Sequence, residues 1–219
     1  MAARYILICK LLCLFLVFSL AACASALKPQ KSYSKNGLTI QFRSINALDD
    51  VQGIQFQYPI ILSQKNIRNH LLSLYYQKII NPRGPKPVFS RAAVAEIAPI
   101  LKTVIRKVKP GKFLHFEYQG PKGATEGRVF ATAEKIHWRL FKINGIVYIN
   151  DPLRLRKPTW RLIRMPGLSF QKVYRDGGFK KYIKNRLVAN FKLPFPKYRD
   201  RSRYRKNRLL KNKPSRLLI

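Results

Sequence analysis

The sequence predicts an α+β fold, and three features of the chain support this prediction. Between residues 112 and 150, four segments alternate apolar and polar residues, as antiparallel strands with one buried face do. Two earlier segments repeat apolar residues with a helical period. The dipeptide Asn144-Gly145 is a strong signal for a β-hairpin. We therefore expect an antiparallel β-meander at about 112–150, packed with two or three helices.

The meander is predicted to contain the strands 112–120, 126–133, 135–143 and 146–150. Residues 38–45 and 160–165 have strand patterns of the same kind and are candidates for further strands of this sheet. Another strand-like pattern covers residues 53–60.

Serine residues are placed to cap the two predicted helices at their N-terminal ends. Ser63 precedes a helix predicted over 64–80, and Ser90 precedes an apolar stripe that runs to Val108. Pro99 lies inside the second stripe and should kink or divide that helix, because proline lacks the backbone N–H that a helix interior needs.

Two later segments complete the secondary-structure prediction. Residues 81–87 contain three prolines and predict a loop. Residues 179–191, with the sequence FKKYIKNRLVANF, predict a basic amphipathic helix. The final segment, 196–219, is so rich in lysine and arginine that we expect a tail that is disordered when it has no partner.

The N-terminal segment indicates export from the cytosol. From Leu11 to Ala22 it has 12 apolar or small residues, whereas a helix that spans a membrane needs about 20. Arg4 and Lys10 precede this run, which is typical of a secretory signal peptide. The alternative is an uncleaved anchor that starts near Tyr5. It would bury Lys10, at a cost of about 2.5–3.5 kcal/mol.

The end of this segment, Leu20-Ala21-Ala22-Cys23, resembles the lipobox of bacterial lipoproteins. The resemblance covers only the first 23 residues of the chain, and no family is identified for residues 24–219. It implies cleavage between Ala22 and Cys23, with a diacylglyceryl group on the cysteine sulfur. Two or more acyl chains anchor a protein stably. The alternative is an ordinary secretory signal cut near ACASA, in which Cys23 has no special role.

The same resemblance implies a location and an organisation. Ala24, directly after the lipidated cysteine, implies the outer membrane of the cell envelope, with the protein facing the periplasm. Cys23 would be the only cysteine of the mature chain, so no disulfide within the chain is expected. The predicted regions are a signal peptide at 1–22, a lipidated cysteine with a flexible linker at 23–37, one α+β domain at 38–195 and a basic tail at 196–219.

The charge of the chain is strongly positive, with 44 lysines and arginines against nine acids and a net charge of +35. Behind a signal peptide, the available polyanions are phosphates of lipopolysaccharide, anionic lipid headgroups and carboxylates of peptidoglycan. Each basic residue near an anionic membrane contributes about 1 kcal/mol. The predicted polyanion contacts lie in the tail: Arg199, Arg201, Arg203, Arg205, Lys206, Arg208, Lys211 and Lys213. The alternative is a basic solvated surface without a partner.

The sequence contains no recognisable catalytic motif, and we expect neither enzymatic activity nor a cofactor. HExxH, Gly-x-Ser-x-Gly and a phosphate-binding loop are all missing. The only constellation for a metal or for acid–base chemistry is His115, Glu117 and His137, which could lie on one sheet surface with Glu126 or Glu134. The excess of positive charge disfavours a bound cation there.

These observations predict a non-catalytic envelope lipoprotein. Its partners are the membrane, through the lipid anchor, and an anionic envelope polymer or a protein of an assembly. Residues 157–164, with the sequence KPTWRLIR, are a second candidate surface, for a glycan or an acyl-glycan. The alternative function is a nucleic-acid-binding protein whose N-terminus is misread, and the export signal disfavours it.

Overall fold

The computed structural model describes residues 32–48, 54–133, 135–149, 155–174 and 180–196. In chain order its elements are β1 (Ser32–Lys35), β2 (Leu38–Ser44), a 3-10 helix (Ile45–Ala47), α1 (Gln64–Ser73), β3 (Tyr75–Lys78), β4 (Lys86–Pro87), α2 (Arg91–Ile105), β5 (Lys112–Gly120), β6 (Gly123–Thr132), β7 (Lys135–Ile143), β8 (Ile146–Val147), β9 (Trp160–Ile163), β10 (Leu168–Tyr174) and β11 (Lys180–Asn190). The predicted α+β class is confirmed, because these residues form antiparallel sheets and two α-helices.

The larger sheet has the strand order β1-β2-β5-β6-β7-β11-β10, with β8 paired to β7, and all of its pairs are antiparallel. The meander predicted at 112–150 is therefore confirmed as β5 to β8. The prediction that residues 38–45 extend this sheet is also confirmed, because β2 pairs with β5 and places Ile40 opposite Phe116.

A smaller sheet has the order β4-β3-β9. The prediction that residues 160–165 join the meander is therefore wrong, because β9 pairs with β3 instead and places Trp160 opposite Lys78. Most of 81–87 is a loop as predicted, although Lys86–Pro87 makes a two-residue pairing with Tyr75 and Tyr76.

Both predicted serine caps are present. The Ser63 hydroxyl accepts a hydrogen bond from the Asn66 N–H, and the Ser90 hydroxyl accepts one from the Ala93 N–H, each at 3.1 Å. The first helix is shorter than predicted: it ends at Ser73 instead of residue 80. The following residues form β3, because strands on both sides offer backbone partners that a helix could not use.

The second helix is confirmed from Ser90 onward and ends at Ile105. It is not divided at Pro99, which lies inside one continuous element. The side of the helix that carries Val94, Ile97 and Leu101 is buried, and this packing maintains the helix although Pro99 removes one backbone hydrogen bond.

The predicted helix at 179–191 is wrong, because this segment is the long strand β11 between β7 and β10. Its register places Leu187 opposite Trp138 and Ala189 opposite Ile136, and all four side chains are buried. Without β11, β7 would present an unpaired apolar edge. Tertiary pairing therefore outweighs the local helical pattern.

The flexible linker predicted at 23–37 is wrong in its last part, because residues 32–35 form β1. Asn36 and Gly37 have positive φ angles of 50° and 71° and make the tight turn between β1 and β2. Strand β10 has no counterpart in the sequence prediction.

The two faces of the larger sheet have different compositions because side chains alternate along each strand. Leu114, Val129, Trp138 and Leu187 lie opposite one another on β5, β6, β7 and β11, and they share the main core with both helices. Burying one such side chain fully stabilises the fold by about 1.5–3 kcal/mol.

The opposite face of the sheet carries a small second core. Leu48, Phe113 and Phe130 are buried there, with Ile54 and Phe56 packed against them. The strand predicted at 53–60 is wrong for the described residues 54–60, which form no strand. This segment instead lies against the sheet, where the Gln57 N–H donates a hydrogen bond to the Ala131 carbonyl at 2.9 Å.

Candidate functional site

Several predicted functional residues lie outside the described part of the chain. These are Ala22 and Cys23 of the cleavage site and the eight predicted polyanion contacts from Arg199 to Lys213. The tail predicted at 196–219 lies outside it as well, apart from Pro196. Any site in the described part of the chain therefore lies in the domain itself.

The predicted metal candidate is not assembled. His115 on β5 has Glu126 as its carboxylate contact, with 3.4 Å between Nε2 and Oε1, and Glu126 also lies 3.4 Å from Lys142 Nζ. His137 on β7 is in contact with the Thr132 hydroxyl at 3.2 Å. Glu117 accepts a hydrogen bond from the Gln119 amide. Within the described ranges, no three His, Cys, Asp or Glu side chains are grouped so that they could hold a metal ion.

His115 is uncharged at neutral pH. Its pKa is lowered to about 4, mainly by burial and also by the positive charges of Arg43 and Arg128, while Glu117 raises it in part. The contact between His115 and Glu126 is therefore a polar contact at neutral pH. Such a histidine is a poor general base near pH 7 because its pKa lies far below the working pH.

A row of three arginines, which sequence analysis missed, crosses the same face of the sheet. Arg128, Arg139 and Arg186 lie directly opposite one another on β6, β7 and β11. Their guanidinium groups lie over aromatic rings, for example Arg186 over Phe130 and Arg128 over Phe141, both at 5.3 Å. Arg186 is fully buried, and all three arginines have further interactions within the chain. This row therefore belongs to the interior of the protein and is not an open binding surface.

An open cavity of about 510 Å³ lies beside the smaller sheet. Its walls come from β3, the loop that follows it, β4, and the neighbouring residues of β8 and β9. It is lined by Tyr76, Lys78, Ile80, Asn81, Arg83, Gly84, Lys86, Ile146 and Thr159. This volume lies within the usual range of small-molecule sites, about 300–1,000 Å³.

Strand pairing positions the polar side chains of this cavity. Tyr76 lies opposite Lys86, and Lys78 follows Tyr76 by two residues, so all three occupy one face of the smaller sheet. A hydrogen bond from the Ile79 N–H to the Thr159 carbonyl, at 3.1 Å, joins the loop after β3 to the residue directly before β9. The buried Tyr76 accepts a hydrogen bond at its hydroxyl from the Asn144 amide, at 3.4 Å.

The cavity is positively charged. Lys78, Arg83 and Lys86 are exposed at its rim, and none of the described residues that line it is acidic. Among the residues that the structure describes, none of these three cations has an ion pair or a side-chain hydrogen bond. The cavity therefore offers three cationic side chains, together with the Tyr76 hydroxyl, to an anion from outside the chain.

The predicted glycan surface at 157–164 contributes to this cavity in part. Thr159 is a wall residue, and Trp160 lies beneath it, fully buried. The Trp160 indole N–H donates a hydrogen bond to the Ile146 carbonyl at 3.0 Å, and its ring packs on Tyr148 at 4.8 Å. Trp160 therefore supports the cavity without lining it.

Comparison of the chain with known protein-family models, curated proteins and solved structures gives no match. No helix in the described part of the chain is long and apolar enough to cross a membrane.

Proposed function

We propose that this chain is a non-catalytic protein of the bacterial cell envelope that binds anionic envelope polymers. In this proposal, acyl chains on Cys23 anchor it to the outer membrane, where it faces the periplasm, and basic residues of the domain and the tail contact the polymer. The lipobox-like residues Leu20 to Cys23 support the anchor.

One observation carries the proposed binding function. The described residues include 28 lysines and arginines but only three acids, Glu96, Glu117 and Glu126, a net charge of +25. In the whole chain, nine carboxylate side chains could each neutralise one of 44 cations and would leave 35. Such a surface produces a positive potential that attracts polyanions strongly at low ionic strength.

The anchor is tested by labelling cells with a palmitate analogue. Wild type should incorporate the label, and Cys23→Ala should not, because the acceptor sulfur is absent. Cys13→Ala is the matched control, since it removes a cysteine from the same segment and should be labelled like wild type. Equal labelling of Cys23→Ala and wild type, or labelling of neither, would refute the anchor.

Polymer binding is tested with the full chain, purified in a neutral detergent, on immobilised lipopolysaccharide. We expect binding that weakens steeply as salt is raised, because surface charges are screened over about 8 Å at physiological ionic strength. A chain truncated after Phe195 should bind about tenfold or more weakly, since it lacks the ten basic residues of the tail. Unchanged binding of the truncated chain would exclude the tail as the contact.

The same assay with duplex DNA addresses the alternative function. Both polymers are polyanions, so some binding to each is expected at low salt. Tighter binding to DNA than to lipopolysaccharide at one salt concentration, together with an unlabelled Cys23, would replace the envelope proposal with the nucleic-acid one.

A further inference from the structure

We infer that the cavity beside the smaller sheet binds a phosphate ester carried by a sugar. This inference rests on the proposed function, because it names the chemical group of the envelope polymer that the domain recognises. The residues that carry it are Tyr76, Lys78, Arg83 and Lys86.

The charge of the cavity fits a phosphate better than a carboxylate. Three cations, Lys78, Arg83 and Lys86, line one space, and the described part of the chain contributes no acidic residue to its walls. A phosphate monoester carries about −1.5 to −2 charges at pH 7 and offers three acceptor oxygens, whereas a carboxylate carries a single charge. The planar guanidinium of Arg83 can bind two phosphate oxygens at once, and the lysines act as point charges.

The remaining walls fit a sugar. Ile80, whose side chain is 71% exposed, and Ile146 provide apolar surface next to the cations. Asn81 and Thr159 provide polar surface close by. The hydroxyl proton of Tyr76 has no acceptor among the described residues, so it remains available to a ligand. A sugar phosphate has an apolar ring face, hydroxyl groups and a charged end, and therefore matches this mixture.

The loop that carries Arg83 is held in place without a ligand. Pro82, Pro85 and Pro87 restrict its backbone, because the proline ring fixes φ. Hydrogen bonds close it at both ends, from the Ile79 N–H to Thr159 and from the Val88 N–H to Leu74, at 3.1 and 2.9 Å. Side chains on a loop that is already ordered lose less entropy when a ligand binds.

The test uses the full chain in a neutral detergent and glucose 1-phosphate as the probe. Binding is followed by the amide NMR signals of Asn81, Arg83 and Gly84, with glucose and acetate as controls at the same ionic strength. We expect these signals to shift with glucose 1-phosphate and to remain in place with glucose and with acetate. A lack of shift at about 10 mM glucose 1-phosphate, where even a weak site would be half occupied, would overturn the inference.

Two triple variants separate a site from diffuse attraction. The cavity variant changes Lys78, Arg83 and Lys86 to alanine, and the matched control changes the exposed Lys65, Arg68 and Lys102 to alanine. Both lose two lysines and one arginine. The cavity variant should bind glucose 1-phosphate about tenfold or more weakly, and the control within about twofold of wild type. Equal losses in the two variants would overturn the inference.

Single changes that conserve charge test the contacts themselves. Arg83→Lys retains the charge but not the planar guanidinium that can bind two phosphate oxygens. Tyr76→Phe removes only a hydroxyl group. Each should weaken binding several-fold without changing its dependence on salt. If neither change weakens binding, the proposed contacts of the Arg83 guanidinium and the Tyr76 hydroxyl with the ligand are wrong.

Failure of this inference and failure of the proposed function have different signatures. If wild type binds lipopolysaccharide but the cavity and control variants lose the same affinity for glucose 1-phosphate, the cavity is not the phosphate site. The proposed function then remains. Wild type that binds glucose 1-phosphate at the cavity but not lipopolysaccharide would contradict the proposed function and retain the phosphate site.

Discussion

The imidazole of His70 should make the protein less stable in mild acid. The side chain is fully buried in α1, its Nε2 donates a hydrogen bond to the Phe191 carbonyl at 3.1 Å, and its ring lies 6.1 Å from that of Trp138. The pKa of His70 is lowered to about 4, because the effect of burial exceeds that of the hydrogen bond to Phe191, which raises it. The test is to compare how the free energy of unfolding of wild type and of His70→Gln changes with pH.

The sign of the effect follows from proton binding. In the unfolded chain His70 has a pKa near 6.5, so between pH 6.5 and 4 the unfolded state binds more protons than the folded state. The free energy of unfolding therefore falls as the pH is lowered through this window. For a single group with these two pKa values, the loss from pH 7 to pH 5 is about 2 kcal/mol.

The assay is urea unfolding of both proteins at pH 7, 6 and 5. Whatever His70→Gln costs at pH 7, that cost should be smaller by about 2 kcal/mol at pH 5, because glutamine does not take up a proton. Taking the difference between the two proteins removes the effects of other groups that titrate, such as His115.

Asn69→Ala is the matched control. Its amide donates a hydrogen bond to the Leu193 carbonyl at 2.7 Å, so it also connects α1 to the segment after β11 but does not titrate. Its cost should be the same at pH 7 and pH 5. A cost of His70→Gln that is equally independent of pH, within about 0.5 kcal/mol, would show that protonation of His70 does not lower the stability in this range.

Two further predictions concern the fold. Gly127→Ala should lower the free energy of unfolding by about 2 kcal/mol in urea titrations, because an added Cβ would lie 2.6 Å from the Arg139 carbonyl oxygen. Gly84→Ala, where the Cβ meets nothing within 4 Å, should change it by less than about 0.5 kcal/mol, and equal costs would contradict the steric argument. Ser90→Ala should cost about 1 kcal/mol through the lost cap of α2, whereas Ser90→Asn should retain most of the stability, and a similar cost for both would show that the cap contributes little.

Local sequence patterns were sufficient to predict an element where the packing around that element favours the same structure. The alternation in residues 112–120 and 135–143 predicted β5 and β7 at their observed bounds, because each strand has one face that the helices bury. The serines at 63 and 90 predicted the start of both helices, since a cap depends only on its neighbours in the chain.

The candidate site is less predictable, because it joins segments that are distant in the sequence. Thr159 lay in a segment that sequence analysis singled out for a glycan, but Lys78 and Arg83 lay in a predicted helix end and a loop with no assigned role. The arginine row was missed for a related reason. Arg186 could be placed opposite Arg139 only once residues 180–190 were known to form a strand.

The amino-acid sequence alone determined the large positive charge and the class of the fold, and it alone supplies the residue pattern at 1–23 from which export and lipidation signals are proposed. Charge and signals do not depend on folding, and the fold class follows from periodicities that each segment carries by itself. Only the tertiary structure decided that residues 180–190 form a strand, that residues 160–163 belong to a second sheet and that three cations surround one cavity. These outcomes depend on which segments pair, and the free energy of pairing and burial between distant segments exceeds the local preferences that a sequence pattern displays.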